Sequence, residues 1–188
     1  MPGLTFIIGG ARSGKSDFAA RVAAEAQGKI LFIATAQPLD EEMGRRISAH
    51  KRRRPAAWRT LELPRDVGGH LLSHPQDADV VVLDCLTLLI SNRLLDAAAD
   101  ADHPDEDAAR AVVEKEIEML CTAIDVSRLR WLVVSNEVGQ GVVPAYPLGR
   151  LFRDLLGWAN QQLAEAADEV IWMVAGIPVP IGRHRERK

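Results

Sequence analysis

Residues 4–16 read LTFIIGGARSGKS. An apolar run, Leu4 to Ile8, passes directly into a glycine-rich stretch that matches G-x-x-x-x-G-K-[ST] at Gly9, Gly14, Lys15 and Ser16. A continuous apolar run, rather than an alternating one, fits a strand buried on both faces of a parallel sheet. Glycines after it let the backbone of Gly9, Gly10, Ala11, Arg12, Ser13 and Gly14 wrap closely enough for successive N–H groups to face phosphate oxygens. The helix that follows adds the positive end of its dipole. In that arrangement Lys15 neutralises β and γ oxygens of a nucleotide, and Ser16 is a Mg2+ ligand. The stretch therefore predicts strand, phosphate-binding loop and helix in immediate succession.

The rest of the chain repeats the alternation. Ile30 to Thr35, Val80 to Leu83, Trp131 to Ser135 and Val170 to Val174 are further apolar runs, and stretches of helical period lie at 16–27, 40–54, 86–96, 106–125 and 148–167. This is an α/β pattern of right-handed crossovers, a mostly parallel central sheet flanked by helices. At 188 residues the chain has the length of one ordinary domain, 1–188. The acidic stretch 97–107, with Pro104, reads as a solvated loop rather than a domain boundary.

Composition excludes several classes. The chain is 47% hydrophobic and 26% charged, with no apolar run near the roughly 18–20 residues that span a bilayer. Its first residues lack the basic segment and apolar length of a secretory signal, so a cytoplasmic location is expected. Cys85 and Cys121 stand apart, with no spacing that suggests a disulfide framework or a zinc site. A formal net charge of -3 argues against a chain built to coat nucleic acid.

Two further features carry chemistry. The strand VVVL ends at Asp84, at the carboxyl edge where open α/β sheets bind ligands. A carboxylate there is placed to hold Mg2+; the alternative is a cap for the helix beginning near Thr87. The second feature is RRISAHKRRRP, residues 45–55, in which Arg45, Arg46, Lys51, Arg52, Arg53 and Arg54 surround His50. Asp40, followed by Glu41 and Glu42, marks a helix start, and Met43, Ile47 and His50 then share one face. The cations read either as a solvated helix end or as partners of a polyphosphate. A neutral imidazole is a competent nucleophile toward phosphorus, and cations stabilise a polyphosphate leaving group.

Taken in order, GGARSGKS, LFIATAQ, DEEMGRRISAHKRRRPAAWRTLE, VVVLDCLT, SNEVGQGVVP and GRLFRDLLGWANQQLAEAADEV resemble the bifunctional adenosylcobinamide kinase/adenosylcobinamide-phosphate guanylyltransferases of corrinoid synthesis. The resemblance implies an α/β, RecA-like P-loop NTPase fold, commonly assembled as a homotrimer. It implies phosphorylation of adenosylcobinamide by ATP or GTP with Mg2+, then transfer of GMP from GTP through a guanylylated histidine. His50 holds that histidine's place in the motif. Thr35, Ala36, Gln37, Lys51, Arg52, Arg53, Arg54, Glu62 and Asp84, with the loop Gly9 to Ser16, fall where the family contacts nucleotide; Glu62 is open between that role and a solvated strand-end carboxylate. Asn136 and Glu137 are open between an active-site role and a turn. Arg150, Arg153 and Asn160, spaced to share a helix face, are open between a solvated face, a corrinoid-phosphate contact and a subunit contact. A kinase without the histidine step and a non-catalytic nucleotide switch are the other functional readings.

Overall fold

A computed structural model describes residues 3–182 apart from Ala99, and of Arg46 the backbone alone. The Arg46 side chain, one of the six cations around His50, and the basic tail from 183 onward lie outside the described residues.

Among the described residues the strands are β1 (Gly3–Gly9), β2 (Ile30–Ala34), β3 (Arg59–Glu62), β4 (Val80–Asp84), β5 (Arg130–Asn136), β6 (Glu169–Val174) and β7 (Ile177–Gly182). The helices are α1 (Lys15–Glu25), α2 (Glu41–Arg53), α3 (Val67–Ser73), α4 (Leu86–Ala97), α5 (Glu106–Val126) and α6 (Pro147–Ala166). The strands form one sheet in the order β3-β2-β4-β5-β1-β6-β7. All pairings from β3 to β6 are parallel, and β7 runs antiparallel to β6. This is the mostly parallel, helix-flanked α/β fold expected from the sequence.

The sheet is covered on both faces, which is why its central strands read as unbroken apolar runs. Leu4, Phe6, Ile8, Leu31, Ile33, Leu83 and Trp131 pack toward the core that includes residues of α3, α4, α5 and α6. The alternate positions Ile7, Phe32, Val82, Leu132 and Val134 pack with Ala19 and Ala23 of α1. Those two alanines are one helical turn apart, so their small side chains let α1 lie close to the sheet. The path from β1 through α1 to β2 crosses β5 and β4. It leaves the strand that opens the phosphate loop and the strand that ends in Asp84 separated only by β5.

Three elements are absent from the sequence reading. β3 and β7 are edge strands, largely exposed; β3, RTLE, is mostly polar, and the apolar residues of β7, IPVPIG, are interrupted by proline. β7 also contains Pro178 and Pro180, which donate nothing to a ladder and are tolerated at an edge. α3 is a seven-residue helix whose first amides are satisfied from elsewhere: Glu116 of α5 accepts from Asp66 N and Val67 N, each at 2.9 Å. A tertiary contact holds this helix start, and the side chain of its N-cap residue, Asp66, makes no cap bond.

Candidate active site

At the carboxyl edge of the sheet a cavity of about 660 Å3 is lined by the phosphate loop, the ends of β2, β4 and β5, and one face of α2. Two loop glycines are required by geometry. A Cβ on Gly9 would stand 2.5 Å from the Met173 carbonyl oxygen. Gly14 has φ 91°, the left-handed region that glycine adopts without steric cost. Lys15 is only 6% exposed; its Nζ donates to the Gly10 carbonyl at 2.6 Å and to Ser13 Oγ at 3.3 Å. Burial lowers its pKa, and the charge of Asp84 acts in the opposite direction.

Asp84 Oδ1 accepts from Ser16 Oγ at 3.2 Å. Desolvation pushes the carboxyl above its ordinary range, against the Ser16 hydrogen bond and the charges of His50, Arg54 and Lys15. Asp84 is not a helix cap: the N-cap of α4 is Cys85, with no side-chain cap bond. A hydroxyl and a carboxylate side by side next to a phosphate cradle are hard oxygen donors, the donor type and number with which Mg2+ is held beside nucleotide phosphates. The neighbouring Cys85 thiol is pushed up to about 12 by burial, so it is no nucleophile at neutral pH.

α2 begins as its sequence predicts, with Asp40 Oδ1 accepting from Met43 N at 2.7 Å. Met43, Ile47 and His50 all line the cavity. The cations divide. Lys51 pairs with Glu62, Arg53 reaches Asp17 at 3.3 Å, and the Arg54 guanidinium lies 3.7 Å over the Phe32 ring. All three line the cavity, as does Glu62, whereas Arg45 pairs with Glu41 on the outer surface and Arg52 is exposed outside the lining. Arg54 Nη1 is buried with no hydrogen-bond partner among the described residues, a donor that an anion in the cavity would satisfy.

Of the residues singled out in the sequence, Ala11 through Ser16, Ala36, His50, Lys51, Arg53, Arg54, Glu62, Asp84 and Asn136 are brought together around this one space. Gly9, Gly10, Gln37 and Arg52 do not line it, nor does Thr35, which is fully buried. Its hydroxyl donates to Cys85 O at 2.7 Å and accepts from Cys85 N at 2.9 Å, clamping the end of β2 to the end of β4. Asn92 of α4 extends the clamp by donating to Thr35 O and Pro64 O at 2.8 and 2.9 Å. Asn92 escapes sequence reading, although a polar residue inside the apolar helix LTLLISNRLL is the signal that would have found it. Arg150 donates to the Pro144 and Ala145 carbonyls, Arg153 pairs with Asp154, and Asn160 is buried.

A parallel sheet whose first strand opens into a phosphate loop, with a basic lysine, a serine and an acidic strand end around one cavity, defines a P-loop protein of the nucleoside-triphosphate-using class. The family model described as cobinamide kinase / cobinamide phosphate guanyltransferase matches residues 5–181. The chain belongs to that family. It is 43% identical over 175 residues to the bifunctional adenosylcobalamin biosynthesis protein CobP of Pseudomonas aeruginosa, covering 93% of this chain and 95% of the relative. It is 41% identical over 180 residues to CobU of Salmonella typhimurium, a protein of the same description, covering 95% and 99% respectively. A solved structure from Pyrococcus horikoshii OT3 shares the fold with TM-score 0.56 at 7% identity, over 98% of this chain and 88% of that one.

Proposed function

We propose that this chain, acting as one domain, phosphorylates the aminopropanol hydroxyl of adenosylcobinamide with ATP or GTP. It then transfers GMP from GTP through His50 to that phosphate, giving adenosylcobinamide-GDP in cobalamin biosynthesis. The observation that carries the reading is the single cavity in which Lys15, Ser16 and Asp84 meet His50, Arg53 and Arg54.

In the first reaction the acceptor oxygen bonds to the γ-phosphorus while the bond from that phosphorus to the β–γ bridging oxygen breaks. The electron pair leaves on the nucleoside diphosphate, and the hydroxyl proton passes to water. Lys15 exchanges its hold on the Gly10 carbonyl for the phosphate oxygens, where it offsets the developing charge. Ser16 and Asp84 would hold Mg2+, which when bound neutralises charge on the β and γ oxygens. In the second reaction a ring nitrogen of His50 bonds to the α-phosphorus of GTP and pyrophosphate leaves with the electron pair. Arg53 and Arg54 receive the charge of that leaving group. A phosphate oxygen of the corrinoid then attacks the same phosphorus and releases the histidine. The chain works in the cytoplasm as a homotrimer in this reading; the exposed apolar side chains Ile177, Val179 and Ile181 on β7 offer an edge for subunit contact.

The test is incubation with α-labelled GTP followed by peptide mapping. The label should be acid-labile, base-stable and carried on residue 50, and His50→Asn should abolish both it and guanylyl transfer while the kinase step persists. A protein that binds GTP without forming an adduct, or an adduct retained by His50→Asn, refutes the histidine route. Kinase activity alone would leave a single-activity enzyme, and nucleotide binding without any phosphorylated corrinoid would leave a switch.

A further inference from the structure

We infer that Asn136 is a catalytic residue of the kinase step, its carboxamide hydrogen-bonding the γ-phosphoryl group as that group is transferred; the inference rests on the kinase reading above. β5 lies between β1 and β4, with Asn136 opposite Gly9 and Val134 opposite Asp84. Asn136 therefore ends the strand that separates the phosphate loop from the carboxylate, and it lines the cavity together with Val134, two residues earlier on the same strand face. A triphosphate on the loop, its outer oxygens on Lys15, would bring its terminal group toward the cavity wall that Asn136 shares with Ser16 and Asp84, the residues that would hold Mg2+.

The main chain at this position is fixed from two helices. Its N–H donates to Thr87 Oγ1 of α4 at 2.8 Å, and its carbonyl accepts from Asn160 Nδ2 of α6 at 3.1 Å. The amide orientation of Asn160 is set in turn, because its Oδ1 accepts from the wholly buried Ser135 hydroxyl at 2.6 Å. Next along the chain, Glu137 N donates to Gly9 O at 3.0 Å, tying the end of β5 to the first residue of the phosphate loop. Three buried polar side chains, Thr87, Ser135 and Asn160, are thus committed to one backbone position. The Asn136 carboxamide itself has no hydrogen-bond partner among the described residues.

A fixed backbone carrying an unengaged polar side chain into a phosphate site is the arrangement that electrostatic preorganisation requires. A carboxamide suits the task. Its N–H groups donate to γ oxygens and its carbonyl oxygen can accept from the attacking hydroxyl, with no added negative charge near the phosphates. Thr87, Ser135 and Asn160 are positioning residues in this scheme, acting only through Asn136.

The test compares affinities of wild type, Asn136→Ala and Asn136→Asp for ADP and for a non-hydrolysable ATP analogue, alongside single-turnover phosphorylation of adenosylcobinamide. Asn136→Ala should weaken the analogue about tenfold and leave ADP within about twofold, since one hydrogen bond to the terminal group is lost. Phosphorylation should slow on the order of a hundredfold. Asn136→Asp should weaken the analogue further, through repulsion, and again spare ADP. Both variants should melt within about 2 °C of wild type, because the side chain contributes no hydrogen bond to the fold. Equal loss of ADP and analogue would make Asn136 structural, and unchanged affinity for both would remove it from the site; either result overturns the inference. Because the binding arm uses no corrinoid, a wild type that fails to phosphorylate adenosylcobinamide would sink the substrate reading while this comparison still decides the role of Asn136.

Discussion

Asp84→Asn separates what the site needs from what the fold prefers. The substitution keeps the shape of the side chain and an oxygen to accept the Ser16 hydroxyl at 3.2 Å, and it removes one desolvated negative charge. Desolvation is the largest influence on this carboxyl and raises its pKa in the folded protein above the ordinary 3.8. A raised carboxyl pKa means that the folded state binds the proton more tightly than the unfolded chain. Stability is therefore lost as the pH climbs through the folded-state value, and restored as it falls back toward 3.8. Neutralising a poorly solvated group recovers about 1–3 kcal/mol of desolvation, and the lost attraction to His50, Arg54 and Lys15 returns part of that. A net gain of about 1 kcal/mol near neutrality is the expected balance, or a Tm higher by about 2–4 °C for a chain of this size. On the proposed role of Asp84 at Mg2+, the asparagine offers no anionic ligand, so the kinase turnover of this more stable protein should fall on the order of a hundredfold. The assay is thermal unfolding of the nucleotide-free variant and wild type across a pH series, paired with turnover over a magnesium titration. A variant less stable than wild type near neutrality, a stability gain that does not shrink as the pH falls, or an unchanged magnesium dependence would refute the reasoning.

Lys15→Ala should cut kinase turnover by about 10²–10³-fold, the size of a lost transition-state charge contact. Its Tm should change little, since relief of a buried ammonium offsets the hydrogen bonds to Gly10 and Ser13; near-normal turnover in the folded variant would remove Lys15 from the chemistry. Gly14→Ala forces a Cβ onto a residue at φ 91°, 3.3 Å from Gly176 Cα, and should cost about 1–2 kcal/mol in urea unfolding as well as nucleotide affinity. An unchanged unfolding midpoint would show that the loop relaxes without strain. Glu116→Ala strands the Asp66 and Val67 amides and leaves the Arg93 guanidinium, 3.3 Å from Glu116, only its weaker pairing with Asp96 at 3.9 Å, and should cost about 3 kcal/mol. Nucleotide affinity should hold at temperatures where the variant is folded, and its loss there would link α3 to the site.

The parts of this protein legible in its sequence are those whose physics is contiguous along the chain. Gly9 to Ser16 match the phosphate-loop pattern within eight neighbouring letters, because in such a loop consecutive backbone N–H groups are the binding device. Asp84 at the end of VVVL, and Asp40 capping the face of Met43, Ile47 and His50, are likewise set by strand burial and one turn of helix. Tertiary structure alone decided what depends on distant partners. The six cations around His50 look alike in the sequence, yet only a Phe32 ring, an Asp17 and a Glu62 brought in by other elements turn Arg54, Arg53 and Lys51 toward the cavity. α3 begins where a glutamate 49 residues away accepts the amide of its first residue, Val67. Asn136 is held by Thr87 and Asn160, 49 and 24 residues distant. A hydrogen bond constrains only the atoms that meet in it, and these meet because β5 inserts between β1 and β4, a pairing chosen by the packing of the whole sheet.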